Sequence, residues 1–151
     1  MDIPHVEDFA PLLNQALDGW LRAMEVRFVR ATADEVIAEW DVAAQHRQAY
    51  GLVHGGVHAG VAESIASVGA ALYAMPHGLS VVGLENHTSF VRAVRQGRLS
   101  ATARPLHRGR RTQLWEAAIQ DAQGRLVATS RVRLLCLEAG TEVAGEKLSL
   151  G

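Results

Sequence analysis

The chain has 151 residues, 48% of them hydrophobic, which suits one globular domain with a single core. Because 15 Lys and Arg stand against 16 Asp and Glu, no overall attraction to nucleic acid or to an anionic membrane is expected. The acidic N-terminus lacks the features of a secretory signal, and no apolar stretch approaches the ~18 residues of a membrane span. With a lone cysteine, Cys136, in an apolar run, these features predict a cytoplasmic protein that binds neither nucleic acid nor membrane.

The first half of the chain is predicted to contain a helix, a hairpin and a longer helix. Apolar residues at helical spacing predict a helix over residues 9–21, with Gly19 near its end. Alternation over residues 24–30 and 36–42 predicts two strands joined by a turn, and the alternation of the first extends from Met24, Val26 and Phe28 to Arg30 on one face. Gly55-Gly56 then opens a run rich in small apolar residues, which predicts a buried helix of about five turns.

The second half is predicted to be strands, over residues 80–94, 98–106, 112–120 and 125–137. Their short connections favour antiparallel neighbours. The fold class is therefore α+β, with an antiparallel sheet wrapped around one long central helix. We expect a single domain over residues 1–151, with an N-terminal helical segment (1–22) and a flexible C-terminal tail (138–151). An open sheet leaves its edge strands unpaired, so we also expect a dimer that joins two sheets.

Glu63 is the residue that points most directly to chemistry. It lies about two turns into the long helix, between apolar neighbours, and an unpaired carboxylate is costly to bury. Such a residue is paired, exposed or functional. Ser67 follows one turn later on the same face and could orient Glu63 or a water beside it. A purely structural alternative places Glu63 on an exposed stripe together with His58.

The segment that precedes the helix offers hydrogen-bond donors. Gly55-Gly56 leaves backbone N–H groups uncovered at the positive end of the helix dipole, which suits an anion or a developing oxyanion, although the glycines could equally serve a tight turn. His54 could donate to a substrate carbonyl or cap the helix. His54 and His58 have a spacing used for metals, but no third ligand fits, so neither a metal nor another cofactor is predicted. No G-x-S-x-G motif supports a serine triad.

Arginines concentrate at two predicted turns, one at residues 92–98 and one at residues 104–111. Together with Thr112 they could bind phosphate groups, or they could be ordinary solvated hairpin ends. A nucleotide is favoured over nucleic acid because aromatic residues are nearly absent from these turns.

Residues 48–56 (QAYGLVHGG), followed by Ala62-Glu63-Ser64 and Ser67, resemble the hotdog-fold acyl-CoA thioesterases. The resemblance is to the branch that holds the Arthrobacter-type 4-hydroxybenzoyl-CoA thioesterase, the PaaI-like phenylacetyl-CoA thioesterases and the 1,4-dihydroxy-2-naphthoyl-CoA thioesterases. Residues 86–90 (NHTSF), 105–109 and 124–126 also match, so the resemblance runs from about residue 20 to residue 137.

The resemblance implies a role for each matching residue. Glu63 would be the nucleophile or the general base towards the thioester carbonyl, and the Gly56 N–H would polarise that carbonyl. Gln48 and His54 would hold the thioester, and Ser67 would position the attacking water or the carboxylate. The residues implied in substrate or CoA binding are Arg92, Arg110, Arg111, Thr112, Phe90 and His87. The resemblance also implies a homotetramer built from two dimers, with each active site at a dimer interface, and an acyl-CoA substrate with an aromatic acyl group.

Two alternatives stay open at this stage. A hydratase or dehydratase would share the fold but needs a histidine base across the acyl Cα–Cβ bond, and His54 precedes the helix. A non-catalytic acyl-CoA-binding module would keep the basic turns but needs no carboxylate among apolar residues.

Overall fold

The structure, a computed structural model, describes residues 7–148. It contains three helices: α1 (Ala10–Gln15), α2 (Gly19–Ala23) and α3 (Gly55–Ala74). Its main strands are β1 (Arg27–Ala31), β2 (Val36–Asp41), β3 (Leu79–Phe90), β4 (Arg98–Arg108), β5 (Thr112–Asp121) and β6 (Leu126–Glu138). A short hairpin, β7 (Glu142–Val143) and β8 (Glu146–Lys147), lies in the segment predicted as a tail, whose flexibility stays a prediction. The ends of that tail and of the N-terminal segment, residues 149–151 and 1–6, lie outside the described residues.

The six main strands form one antiparallel sheet in the order β1-β2-β4-β5-β6-β3, and α3 packs against its inner face. Alternation along the strands sends every second side chain towards the helix, as the buried Val36, Ala38 and Trp40 of β2 illustrate. The predicted α+β fold, a sheet wrapped around one long helix, is confirmed. Cys136 is buried on β6, as predicted. No helix within residues 7–148 is both long enough and apolar enough to span a membrane.

The small residues of α3 let the sheet approach the helix closely. Gly69 shows this most clearly, because a Cβ atom at that position would lie 2.4 Å from the fully buried ring of Trp115. The helix ends at a 3-10 turn, after which Gly78 adopts a left-handed conformation with φ of +70°. Close packing and a defined stop therefore fix the position of α3 along the sheet.

Two predictions about the N-terminal part are wrong in detail. The helix predicted over residues 9–21 is two short helices, because Asp18 is extended and caps α2 while Gly19 has a φ of +56°. The alternation of buried and exposed residues along β1 is also interrupted. A bulge between Phe28 and Arg30 leaves Arg30 exposed and buries Ala31 instead.

Strand β3 forms one edge of the sheet, and no strand within residues 7–148 pairs with its outer side. A bulge at Leu84 changes its alternation, so that Gly83 and Asn86 both face α3. Leu84, Phe90 and the adjacent Val91 are more than half exposed. A long unpaired edge with apolar side chains is a surface that proteins normally cover.

Candidate active site

Glu63 lies on the one stripe of α3 that the core leaves uncovered. Its side chain is exposed, whereas Ala62 and Ile65 beside it are fully buried. His58 is buried too, so it does not share an exposed stripe with Glu63. The carboxylate lies at a cavity of about 170 Å³ formed with residues 83–86 of β3.

Asn86 connects Glu63 to the sheet. Its Nδ2 donates to the carbonyl oxygen of Ala59 at 2.8 Å and to Oε2 of Glu63 at 3.3 Å. The hydroxyl of Thr88 donates to Oδ1 of Asn86 at 2.7 Å, which fixes the direction of the amide. Glu63 is thus oriented by a neutral donor that is itself held by two hydrogen bonds.

Gly83 gives the carboxylate its room. A Cβ atom on Gly83 would lie 3.3 Å from Oε1 of Glu63. The absence of a side chain on the strand therefore lets the carboxylate rest against the backbone of β3 while it stays open to solvent.

The start of α3 differs from the prediction in one respect. His54 is the N-cap residue, and its Nδ1 accepts a hydrogen bond of 2.8 Å from the Gly56 N–H. The predicted donor is thus engaged by a neighbouring ring. The preceding Gly55 N–H forms no hydrogen bond within residues 7–148. Within the described residues, the Gly55 N–H is therefore a free donor at the positive end of the helix.

Gln48 lies in a tight loop before α3. Its side-chain oxygen accepts from the Tyr50 N–H, and Arg95 holds the same loop by donating to the Tyr50 carbonyl at 2.6 Å. Gln48, Gly55 and Phe90 line one cavity of about 280 Å³. Several predicted residues thus meet here: the amide of Gln48, a free N–H and an aromatic ring.

His58 lines the same cavity and was not assigned a role by the resemblance. Its side chain is 4% exposed, and burial lowers its pKa to about 4. The imidazole is therefore neutral at physiological pH. His54 is exposed whereas His58 is buried, and residues 7–148 contain no cluster of three His, Cys, Asp or Glu that could hold a metal ion.

The predicted site residues do not all meet within one chain. Gly55 and Glu63 are eight residues apart on one helix, about 12 Å along its axis. Ser67 is one turn beyond Glu63, and the structure gives no hydrogen bond between their side chains. His87 lies on the outer face of β3, opposite Asn86, beside Arg131.

The two groups of arginines are also far apart. Arg92 is at the end of β3, where its N–H bonds the Val127 carbonyl, whereas Arg110 and Arg111 precede β5. These turns lie at opposite ends of β4, about 35 Å apart for eleven residues of strand. Thr112 lies with Arg110 and Arg111 at a larger surface cavity of about 900 Å³.

The structure adds three residues to the site that the sequence prediction left without a role: His58, Gly83 and Asn86. For Gly55 the sequence already indicated an uncovered N–H, since the first N–H of any helix lacks an internal partner. Asn86 lay within a matching segment, but its contact with Glu63 depends on the bulge at Leu84. Neither sequence spacing nor composition predicts that bulge.

One long helix wrapped by an antiparallel sheet, with an oriented carboxylate on the helix and a free N–H at its start, defines the hotdog-fold class of thioester hydrolases. A family model described as the thioesterase superfamily matches residues 50–128, which include α3, β3, β4 and β5. The chain belongs to this superfamily and is an enzyme, a thioester hydrolase.

Relatives and solved structures agree with this assignment. The protein Rv1847 of Mycobacterium tuberculosis is 46% identical over 116 residues, which cover 76% of this chain and 83% of the relative. The 1,4-dihydroxy-2-naphthoyl-CoA hydrolase of Escherichia coli K12 is 39% identical over 110 residues, covering 72% of this chain and 79% of the relative. Among solved structures, the thioesterase HI1161 from Haemophilus influenzae has a TM-score of 0.80 at 29% identity and covers 85% of this chain and 90% of that chain.

Proposed function

We propose that the protein hydrolyses aromatic acyl-CoA thioesters to the free acid and CoA, with Glu63 as the catalytic carboxylate. The observation that carries the proposal is the environment of Glu63: an exposed carboxylate next to the buried Ala62 of α3, held by Asn86 and given room by Gly83. An oriented and accessible carboxylate at a cavity is what either route of hydrolysis requires.

Both routes balance with the groups at hand. As a general base, Glu63 takes a proton from a water molecule, whose oxygen attacks the thioester carbonyl. The tetrahedral intermediate then expels the CoA thiolate, which takes up the proton. As a nucleophile, Glu63 attacks the carbonyl itself and expels the thiolate, and water then hydrolyses the resulting anhydride. In both routes Ser67, one turn away, positions the water or the carboxylate.

The carbonyl oxygen accepts hydrogen bonds at the start of α3. The Gly55 N–H is free for this role, and the Gly56 N–H joins it when the ring of His54 turns towards the substrate. Two N–H groups at the positive end of a helix stabilise the negative charge that develops on the oxygen. The amide of Gln48 and the displaced His54 hold the thioester beside them.

The site is assembled from two protomers. The ~12 Å between Gly55 and Glu63 along one helix is too long for both to act on one carbonyl, so a second copy must supply one of them. The unpaired edge of β3, beside Glu63, is the surface on which that copy would dock. We infer that such dimers pair into a tetramer, in which the separated Arg92 and Arg110 groups come together from different protomers.

The acyl group enters the cavity at Gln48, and the CoA phosphates bind the basic turns. Phe90 offers the cavity an aromatic surface, against which an aromatic acyl group packs. The E. coli relative is named for an aromatic acyl-CoA, which supports this substrate class. The residues proposed for the CoA portion, which includes its phosphates, are Arg92, Arg110, Arg111, Thr112 and His87. A lone buried cysteine supports a cytoplasmic location.

The carboxylate is tested by replacing Glu63 with Gln, which keeps its size and its contact with Asn86. Thiol release from benzoyl-, 4-hydroxybenzoyl-, phenylacetyl- and dihydroxynaphthoyl-CoA should fall at least about 100-fold in kcat. Glu85→Gln is the matched control, because Glu85 is an exposed carboxylate beside the same small cavity. Equal activity of the Glu63 variant and wild type would refute the mechanism.

The shared site is tested by mixing two inactive variants, Glu63→Gln and Gln48→Ala. If each site takes these residues from different protomers, a mixed dimer has one fully intact site. Random mixing should then restore about a quarter of wild-type activity in a two-fold symmetric dimer. No restoration, in a sample that mass spectrometry shows to contain mixed dimers, would place the whole site in one chain.

A further inference from the structure

His58 combines burial with an unpaired polar atom. The side chain is 4% exposed, and its Nδ1 is enclosed without a hydrogen-bond partner within residues 7–148. Val57 and Val61 beside it on α3 are buried apolar residues. A buried polar side chain that serves packing alone is normally hydrogen-bonded, whereas that of His58 has no hydrogen bond within residues 7–148, and Nε2 is not fully enclosed as Nδ1 is.

The imidazole borders the proposed acyl cavity. His58 lines it together with Gly55, Gln48 and Phe90, and its ring centroid lies 6.3 Å from that of Phe90. Most of the remaining wall is apolar or backbone, and the arginine at the cavity, Arg92, is exposed. A small apolar cavity with a few inward polar groups is the usual form of a site that recognises a neutral ligand.

The protonation state of His58 restricts the ligand. Because burial holds its pKa near 4, the ring is neutral and carries one N–H and one lone pair. An enclosed, unpaired N–H is less well tolerated than an unpaired acceptor, which favours the proton on Nε2. A neutral donor suits a hydroxyl or carbonyl oxygen rather than a phosphate, whose natural partners are the exposed arginines.

We propose that His58 determines acyl selectivity by donating a hydrogen bond from Nε2 to an oxygen substituent on the acyl group of the substrate. This inference rests on the proposed function and narrows it to oxygen-substituted acyl groups. The thioester carbonyl lies at the Gly55 N–H, the ring packs against Phe90, and the substituent reaches the imidazole. His58 is a binding residue and takes no part in proton transfer to the reacting carbonyl.

The test compares substrates that differ only in the substituent. The quantity measured is the ratio of kcat/KM for 3- or 4-hydroxybenzoyl-CoA to kcat/KM for benzoyl-CoA. In His58→Phe, which keeps an aromatic ring but cannot hydrogen-bond, the larger of the two ratios should fall about tenfold. His58→Gln restores a donor and should recover part of that loss.

A control variant separates recognition from packing. Leu52→Ala enlarges the same cavity without changing its polar groups. It should therefore change kcat/KM for all three substrates by a similar factor and leave the two ratios within about twofold of their wild-type values. Binding of the inert thioether analogues phenacyl-CoA and 4-hydroxyphenacyl-CoA, measured by calorimetry, provides a readout independent of turnover.

The outcomes distinguish this inference from the proposed function. Unchanged ratios in His58→Phe, or an equal loss for substituted and unsubstituted substrates in a variant that melts like wild type, would overturn the role of His58. Failure of the wild-type protein to hydrolyse any of these aromatic thioesters would instead refute the proposed function.

Discussion

The buried imidazole of His58 makes the stability of the protein depend on pH in a defined direction. Burial lowers its pKa from 6.5 to about 4, so between these values the unfolded chain binds a proton that the folded chain does not. Because the unfolded state binds more protons, the free energy of unfolding must decrease as the pH falls from 6.5 to 4. The difference between the two pKa values corresponds to about 3 kcal/mol.

Replacing His58 with Phe removes this titration and keeps an aromatic ring. The difference in unfolding free energy between wild type and His58→Phe should therefore change by about 3 kcal/mol from pH 7 to pH 4, at up to about 1.4 kcal/mol per pH unit. Other groups titrate in the same range of acidity. Hydrogen bonds from the Ala10 and Ala31 N–H groups lower the pKa of Asp8, for example, but that carboxyl is common to both proteins and cancels in the difference.

The assay is urea unfolding followed by tryptophan fluorescence at several pH values, with wild type and variant at the same protein concentration. His107→Gln is the matched control, since that imidazole is exposed, and its curve should run parallel to that of wild type. If the His58→Phe curve is also parallel to wild type over pH 4–7, the claim that His58 is neutral and buried is wrong.

Three further substitutions test the packing, the carboxylate and the basic turns. Gly69→Ala should lower the free energy of unfolding by about 1–2 kcal/mol, because overpacking against Trp115 outweighs the better helix propensity of alanine. Asn86→Ala should lower kcat about tenfold with a smaller change in KM, since Glu63 loses its neutral donor. Arg110→Ala should raise KM for an acyl-CoA several-fold at low salt and leave the corresponding acyl-pantetheine unchanged, because the latter lacks the nucleotide.

Each of these substitutions has a control within the chain. Gly60→Ala should lower the free energy of unfolding, measured in urea, by less than Gly69→Ala does. The new methyl group would meet the ring of Trp20, which is 42% exposed and can turn away. Thr88→Val should also lower kcat, but by less than Asn86→Ala, because it removes only the hydrogen bond that orients the Asn86 amide. Arg125→Ala removes an arginine that already pairs with Asp121 and should leave KM unchanged in steady-state kinetics. In each pair, a larger effect of the control variant than of the test variant would contradict the corresponding argument.

The sequence predicted the elements of this fold well where burial alone determines the pattern. Helix α3 was predicted because its residues are mostly apolar, and strands β3 to β6 were predicted because apolar and polar residues alternate along segments bounded by turns. The prediction failed where backbone conformation interrupts the pattern. The helix over residues 9–21 contained the right apolar spacing, but the left-handed Gly19 divides it, and spacing does not report backbone dihedral angles.

The site could be predicted in part for a related reason. Glu63 was conspicuous because a carboxylate among apolar residues is costly, and this argument needs no coordinates. The contacts that orient it depend on long-range register, since Asn86 follows Glu63 by 23 residues and faces it only because of a bulge. His58 was missed because a histidine in an apolar helix has no sequence feature that distinguishes a packed ring from one that borders a cavity.

The separation of the two arginine groups could have been anticipated from topology. A strand of eleven residues places the turns at its two ends about 35 Å apart, whatever its side chains are. A single CoA molecule can meet both groups only if they come from different copies of the chain. The ~12 Å between Gly55 and Glu63 along α3 leads independently to the same requirement, since no bend is available within a straight helix. Two distances set by secondary structure alone therefore support the proposal that each site takes residues from more than one copy of the chain, with the unpaired edge of β3 as the proposed docking surface.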